Sequence, residues 1–178
     1  MKRLLVLVVF CLIATVYSHA EENEAPFSFG MPFIVQYNNQ TSDLTIWNFR
    51  YGLGIDFYFK IMPSIYLGVE IGSAFGFRKN DFFDQNFQEF FIDFPLRAVI
   101  LWKLPVIVLE AYTGANYQGN ALLVNGTLYA EDLDFHLNYE IGARIGLGEL
   151  TFFFLDVGYV LAEESYLHAG LGVRIGLF

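Results

Sequence analysis

From Phe27 to Leu177 apolar residues alternate with polar or small ones, segment after segment. Thr45, Trp47, Phe49, Tyr51, Leu53, Ile55, Phe57 and Phe59 fall on one face of an extended chain, and Asn48, Arg50, Gly52, Gly54, Asp56, Tyr58 and Lys60 on the other. The stretch 135–147 divides in the same way. Phe135, Leu137, Tyr139, Ile141, Ala143, Ile145 and Leu147 oppose His136, Asn138, Glu140, Gly142, Arg144 and Gly146. Successive side chains of a strand point to opposite faces, so a period of two predicts strands. Helical spacing would instead bury Arg144 or Glu140 beside Ile141. Eight strands follow, over 27–37, 45–60, 65–77, 90–102, 106–118, 135–147, 151–161 and 166–177. Each is at least as long as the ~9–11 residues with which a tilted strand crosses a bilayer core.

The connections alternate too. Met62-Pro63-Ser64, Lys103-Leu104-Pro105 and Gly148-Glu149-Leu150 make tight turns after the second, fourth and sixth strands. The links after the first, third and fifth are longer and polar, and the one around Glu163-Glu164-Ser165 is short. Short turns at one end and longer loops at the other predict an all-β fold, an eight-stranded antiparallel up-and-down barrel with different surroundings at its two ends. Its interior is only wide enough to be filled by side chains. Small and polar residues suit that interior, whereas the rows of Phe, Trp and Tyr on the apolar face are too bulky for it. The apolar face therefore points to lipid, and the barrel is transmembrane. Aromatics sort by depth on that face. Phe27, Phe29, Phe57, Phe59, Trp102 and Phe153 lie at one end, Tyr37, Trp47, Phe49, Tyr51, Phe75, Tyr117, Phe135 and Tyr139 at the other, with an aliphatic band between. Two aromatic girdles are what the two lipid–water interfaces select.

Composition agrees. The 178 residues are 55% apolar and 19% aromatic, which excludes disorder, and the mean hydropathy is +0.42. The formal charge of −9 argues against nucleic acid as a partner. The N-terminus explains part of the hydropathy. Met1-Lys2-Arg3 is a basic head, Leu4 to Val16 an apolar run, and Ser18-His19-Ala20 supplies small residues for cleavage. Residues 1–20 are thus predicted to be a cleaved secretory signal, and 21–178 the barrel. The mature chain loses Cys11, the sole cysteine, and with Lys2 and Arg3 gone its charge falls by two to −11.

The last segment, Leu167-His168-Ala169-Gly170-Leu171-Gly172-Val173-Arg174-Ile175-Gly176-Leu177-Phe178, alternates up to a terminal Phe. With it the mature chain resembles the small eight-stranded outer-membrane proteins of the OmpA/OmpX/OmpW-like group. The resemblance implies residence in the bacterial outer membrane and insertion by the barrel-assembly machinery, which reads such a C-terminal strand through Phe178. Phe178 departs from the group's pattern, because Leu177, Ile175 and Val173 occupy the opposite parity. One lipid A-deacylating family with this architecture carries a His and a Ser two positions apart, and this chain has no His-x-Ser.

The strand parities turn ten charged residues inward: Arg50, Asp56, Glu70, Asp93, Arg97, Glu110, Glu140, Arg144, Asp156 and Arg174, with His136 and His168. Buried charges must be paired, so the first reading is a structural network filling the lumen. The alternative is a narrow channel or carrier for cations or small apolar molecules, lined by six carboxylates. No catalytic triad motif, phosphate loop or metal-ligand spacing occurs, so no enzyme, metal or cofactor is expected. Asn125-Gly126 is a two-residue turn signal between two β-prone runs. It predicts a hairpin over 118–134 that protrudes beyond the membrane, with Asn125 and Gly126 at its tip. Exposed strand edges recruit partner strands, so the expected partners are outer-membrane lipid and an extracellular ligand at the loops, for a monomeric, non-enzymatic protein.

Overall fold

The structure, a computed structural model, describes the backbone of residues 27–38, 45–80, 87–124, 127–147, 151–163 and 165–177. The predicted signal segment 1–20, the hairpin tip Asn125 and Gly126, and the terminal Phe178 lie outside the described residues. Eight strands follow one another: β1 (Phe27–Asn38), β2 (Thr45–Met62), β3 (Ile65–Asn80), β4 (Phe87–Lys103), β5 (Ile107–Val124), β6 (Thr127–Leu147), β7 (Thr151–Leu161) and β8 (Tyr166–Leu177). Every strand pairs antiparallel with its sequence neighbour, and β8 closes on β1 through pairs such as Phe33↔Val173 and Gln36↔Gly170. The result is a closed eight-stranded up-and-down barrel, the architecture that the period of two predicts. Closure removes the sheet edges that an open sheet would have to protect. Among the described residues no helix is long and apolar enough to cross a membrane.

Side chains sort as the parities require. Leu53, Ile55, Val69, Ile71, Ile100, Ile141, Val157 and Leu171 stand exposed on the outer face, while charged and polar groups are buried inside. This inverts a soluble barrel, and only a lipid solvent makes it stable. Aromatic pairs pack across strands in the outer girdles. Phe29 and Phe57 have centroids 5.1 Å apart toward the turn end. Toward the loop end Tyr37–Phe49 lie at 5.8 Å, and Tyr117–Phe135 stack at 4.9 Å with planes 12° apart. The β2–β3 turn puts Pro63 before Ser64, whose φ of 60° lies in the left-handed region. The Lys103 N–H donates to the Ser64 carbonyl at 2.7 Å and ties this turn to the next.

Five rings correct one sequence expectation. Tyr58, Tyr66, Phe91, Tyr112 and Phe154 are buried, although an eight-stranded interior was expected to hold only small and polar groups. Four of them fit because a glycine faces them across the ladder: Tyr58↔Gly68, Phe91↔Gly76, Tyr112↔Gly142 and Phe154↔Gly172. A Cβ built on any of these glycines would collide with the opposing ring. Each ring thus lies flat over a backbone that carries no side chain, and the interior closes without widening.

The strands differ in height. β2 to β6 run 18, 16, 17, 18 and 21 residues, against 11, 12 and 12 for β7, β8 and β1. The β5–β6 ladder slips between Asn120 and Leu122 and then resumes through Leu122↔Tyr129 to Val124↔Thr127, which is the extended hairpin expected there. β7 meets β6 only from Tyr139↔Leu161 downward. Among the described residues, the β5–β6 hairpin therefore rises past the end of the β6–β7 ladder.

Candidate functional site

The strand parity brings ten charged side chains into one space. Arg50 and Asp56 come from β2, Glu70 from β3, Asp93 and Arg97 from β4, Glu110 from β5, Glu140 and Arg144 from β6, Asp156 from β7 and Arg174 from β8. None is more than 4% exposed. Toward the turn end, Arg174 Nε lies 2.7 Å from Asp56 Oδ2, and its two terminal nitrogens donate to Glu110. Glu110 Oε2 is 3.4 Å from Arg144 Nη1. Arg144 in turn donates through Nε to Asp156 at 2.8 Å and through both terminal nitrogens to Glu70. Glu70 also accepts from Arg97, which closes on Glu140. Nearest the loop end, Arg50 Nε pairs with Asp93 Oδ2 at 2.7 Å.

Neutral partners complete the chain. Asp156 accepts from Gln36 Nε2 at 2.7 Å and from the Tyr112 hydroxyl at 3.1 Å, and His168 Nδ1 stands 3.1 Å from it. Guanidinium groups also lie against the buried rings: Arg97 and Arg144 over Tyr112 at 4.7 and 4.8 Å, and Arg174 over Tyr58 at 5.4 Å. Four guanidinium groups face six carboxylates, so these ten side chains carry two surplus negative charges. The Gln36 amide and the Tyr112 hydroxyl donate hydrogen bonds where a fifth cation would otherwise stand.

Gln36, Tyr112, Asn116 and Tyr166 were not among the residues singled out from sequence. Each lies on an inward parity, so the signal was present without a charge to draw attention to it. His136, expected inward, shares that parity but is exposed, above the closed part of the lumen. His168 is buried.

Among the described residues, buried side chains lie toward both ends of the lumen. Tyr58, Tyr66, Val99, Leu101 and Val108 form one apolar cluster at the turn end. At the loop end Asn138 Nδ2 donates to Gln118 Oε1 at 2.9 Å, near buried Phe91 and Val160. Two interior cavities are about 20 Å³ each, which is room for about one water apiece. Among the described residues no cluster of three or more His, Cys, Asp or Glu is placed to hold a metal ion. Each of the six inward carboxylates lies within ion-pair distance of a guanidinium group.

No protein-family model and no curated protein sequence matches the chain. Solved structures do. A major outer membrane protein from Thermus thermophilus superposes with a TM-score of 0.59 at 14% identity, covering 86% of this chain and 100% of that one. Ail, the attachment invasion locus protein of Yersinia pestis, gives 0.56 at 11% identity, covering 85% and 97%. The outer membrane enzyme PagL gives 0.52 at 11% identity, covering 82% and 98%. The fold is therefore that of the small outer-membrane β-barrels. The same fold serves an attachment protein and an enzyme, so function has to be argued from the site.

Proposed function

We propose that this chain is a monomeric, non-enzymatic outer-membrane barrel whose interior is a structural plug and whose activity is partner binding at the loop end. It reaches the membrane through a cleaved signal at residues 1–20 and is inserted through recognition of the C-terminal strand ending in Phe178. The observation that carries the binding reading is the tall wall of β2 to β6, whose β5–β6 hairpin continues past Tyr139↔Leu161, the pair at which the β6–β7 ladder ends. A strand that rises past its neighbour's ladder offers an edge to an incoming strand.

The sequence of that region sets the sign of the partner. In the sequence, 131–134 carries Glu131, Asp132 and Asp134, the stretch 78–89 carries Asp81, Asp84 and Glu89 beside Arg78 and Lys79, and Glu163-Glu164 follows the seventh strand, an acidic excess. Ail has been solved with sucrose octasulfate, a heparin analogue, at a TM-score of 0.55 and 9% identity. An acidic rim repels such a polyanion, so the partner here is cationic.

Two experiments test this. In planar bilayers the refolded mature chain stays silent, because rings and ion pairs fill the lumen. Steady ion-selective steps that change on mutating Glu110 or Glu140 would replace the plug with the channel reading. Immobilised polylysine retains the detergent-solubilised protein, and shortening the hairpin 121–130 to Asn-Gly weakens that retention. Retention on heparin instead, or no effect of the shortening, would overturn the loop-end reading.

A further inference from the structure

Two prolines sit in mid-strand, and both lie beside glycines. Pro32 of β1 keeps its pair with Arg174 on β8, yet the β1–β2 ladder stops at Gly30↔Asp56 and resumes at Phe33↔Leu53 with no change of register. Pro95 of β4 keeps its pair with Asn116 on β5, yet the β3–β4 ladder stops at Ile71↔Leu96 and resumes at Ala74↔Asp93. Proline has no N–H, so a ladder is lost on the side its nitrogen faces. Here those sides are Gly54 on β2 and Gly72 on β3, which pair with each other. The β4–β5, β7–β8 and β8–β1 ladders run without a gap, as does β6–β7 from Tyr139 to Leu147.

Four residues thus form one row through the wall, Pro32, Gly54, Gly72 and Pro95. The Gly54 and Gly72 carbonyls have no strand donor from β1 or β4. Each proline ring takes the place of the missing side chain beside it: a Cβ on Gly54 would stand 3.1 Å from the Pro32 ring and one on Gly72 3.2 Å from the Pro95 ring. One of the two 20 Å³ cavities lies behind this row, against Arg50, Glu70, Arg97 and Arg144. Its size admits one water, and its lining residues include Arg50, whose Nη1 is a buried donor without a hydrogen-bond partner. A backbone carbonyl at lipid depth has to find a donor, and water from this cavity is the nearest source.

We propose that the row is a built-in lateral seam: the β2–β3 hairpin is a flap, hydrated from the lumen, that parts from β1 and β4 at mid-height toward the lipid. Such an opening joins the interior cavity to the acyl layer and to neither aqueous side. It is independent of what the loops bind.

Amide hydrogen exchange of the full mature chain in phosphatidylcholine vesicles tests the seam. Amides of 31, 33–34, 52–55, 71–74, 93–94 and 96 should exchange about tenfold faster or more than those of Tyr112, Gly142 and Asp156 on the opposite wall, as the loss of a ladder hydrogen bond allows. Restoring the donor with Pro95→Val should slow exchange at 71–74, 94 and 96 and leave 31 and 33–34 fast. Equal protection of both walls in the wild-type chain overturns the proposal, whether or not the variant folds. Fast exchange at 71–74 that persists in a folded Pro95→Val barrel also overturns it, because the missing N–H would then not be the cause.

Discussion

The Arg50–Asp93 pair allows the interior to be tested by a double-mutant cycle. The two groups are buried, lie 2.7 Å apart, and share no other ion-pair partner among the described residues. At an effective dielectric of about 20 their attraction at 2.7 Å is about 6 kcal/mol. Desolvating each ion costs several kcal/mol, so the pair as a whole lies near break-even. Arg50→Leu should therefore cost ~3–5 kcal/mol, because it leaves the Asp93 carboxylate buried without its ion-pair partner, repelled by Glu140 and attracted only by the more distant Arg97. Asp93→Leu should cost less, since Arg50 still lies in the field of Glu140. Replacing both with Leu should bring stability back to within ~1 kcal/mol of wild type. Urea unfolding in phosphocholine micelles measures this, with Trp47 and Trp102 as fluorescence reporters and heat-dependent gel mobility as a check on folding. The reasoning is refuted if Arg50→Leu costs under about 1 kcal/mol, or if the double variant is less stable than both singles.

Other substitutions probe the remaining layers. Ile100→Arg or Ala143→Arg on the lipid face should cost ~2–4 kcal/mol in the same titration, and a negligible cost would mean the faces are reversed. Gly68→Ala should cost ~1–3 kcal/mol, because the new methyl meets the Tyr58 ring and the Phe57 carbonyl; an unchanged midpoint would show that the ring has room to move. Ser64→Gly should stabilise by ~0.5–1 kcal/mol, since it relieves a left-handed φ at the Pro63-Ser64 turn. A loss of stability there would mean that the Ser64 side chain contributes more than its backbone conformation costs.

The strands and their faces were legible because a sheet side chain has only two directions to choose from, and lipid on one side makes the choice visible. Residues such as Leu53 and Arg50 announce their face in the sequence. Height within the barrel was not legible. Parity turns Asp56 and Arg174 inward but does not say that they meet, because that depends on strand tilt and stagger. The extra reach of β6, from Thr127, is signalled by Asn125-Gly126 and its flanking runs, whereas the register slip near Asn120 leaves no mark in the alternation. Pro32 and Pro95 went unremarked in the reading of strands. A mid-strand proline argues against a central strand, and here it is accommodated by a glycine opposite. The volume argument that turns the aromatic rows outward takes no account of the space that a facing glycine releases, which Tyr112 and Phe154 occupy.

The pairing of rings with bare backbone has a consequence for how this chain can change over time. Position 68 is held to glycine by what stands at 58, and likewise 76 by 91, 142 by 112 and 172 by 154. A larger residue on one strand becomes acceptable only after its neighbour has shed its ring. Among descendants of this sequence such positions should drift in couples, a bulky group and a hydrogen exchanging places across the ladder. The outward residues, which meet only fluid acyl chains, are under no such mutual restraint and are free to vary one at a time.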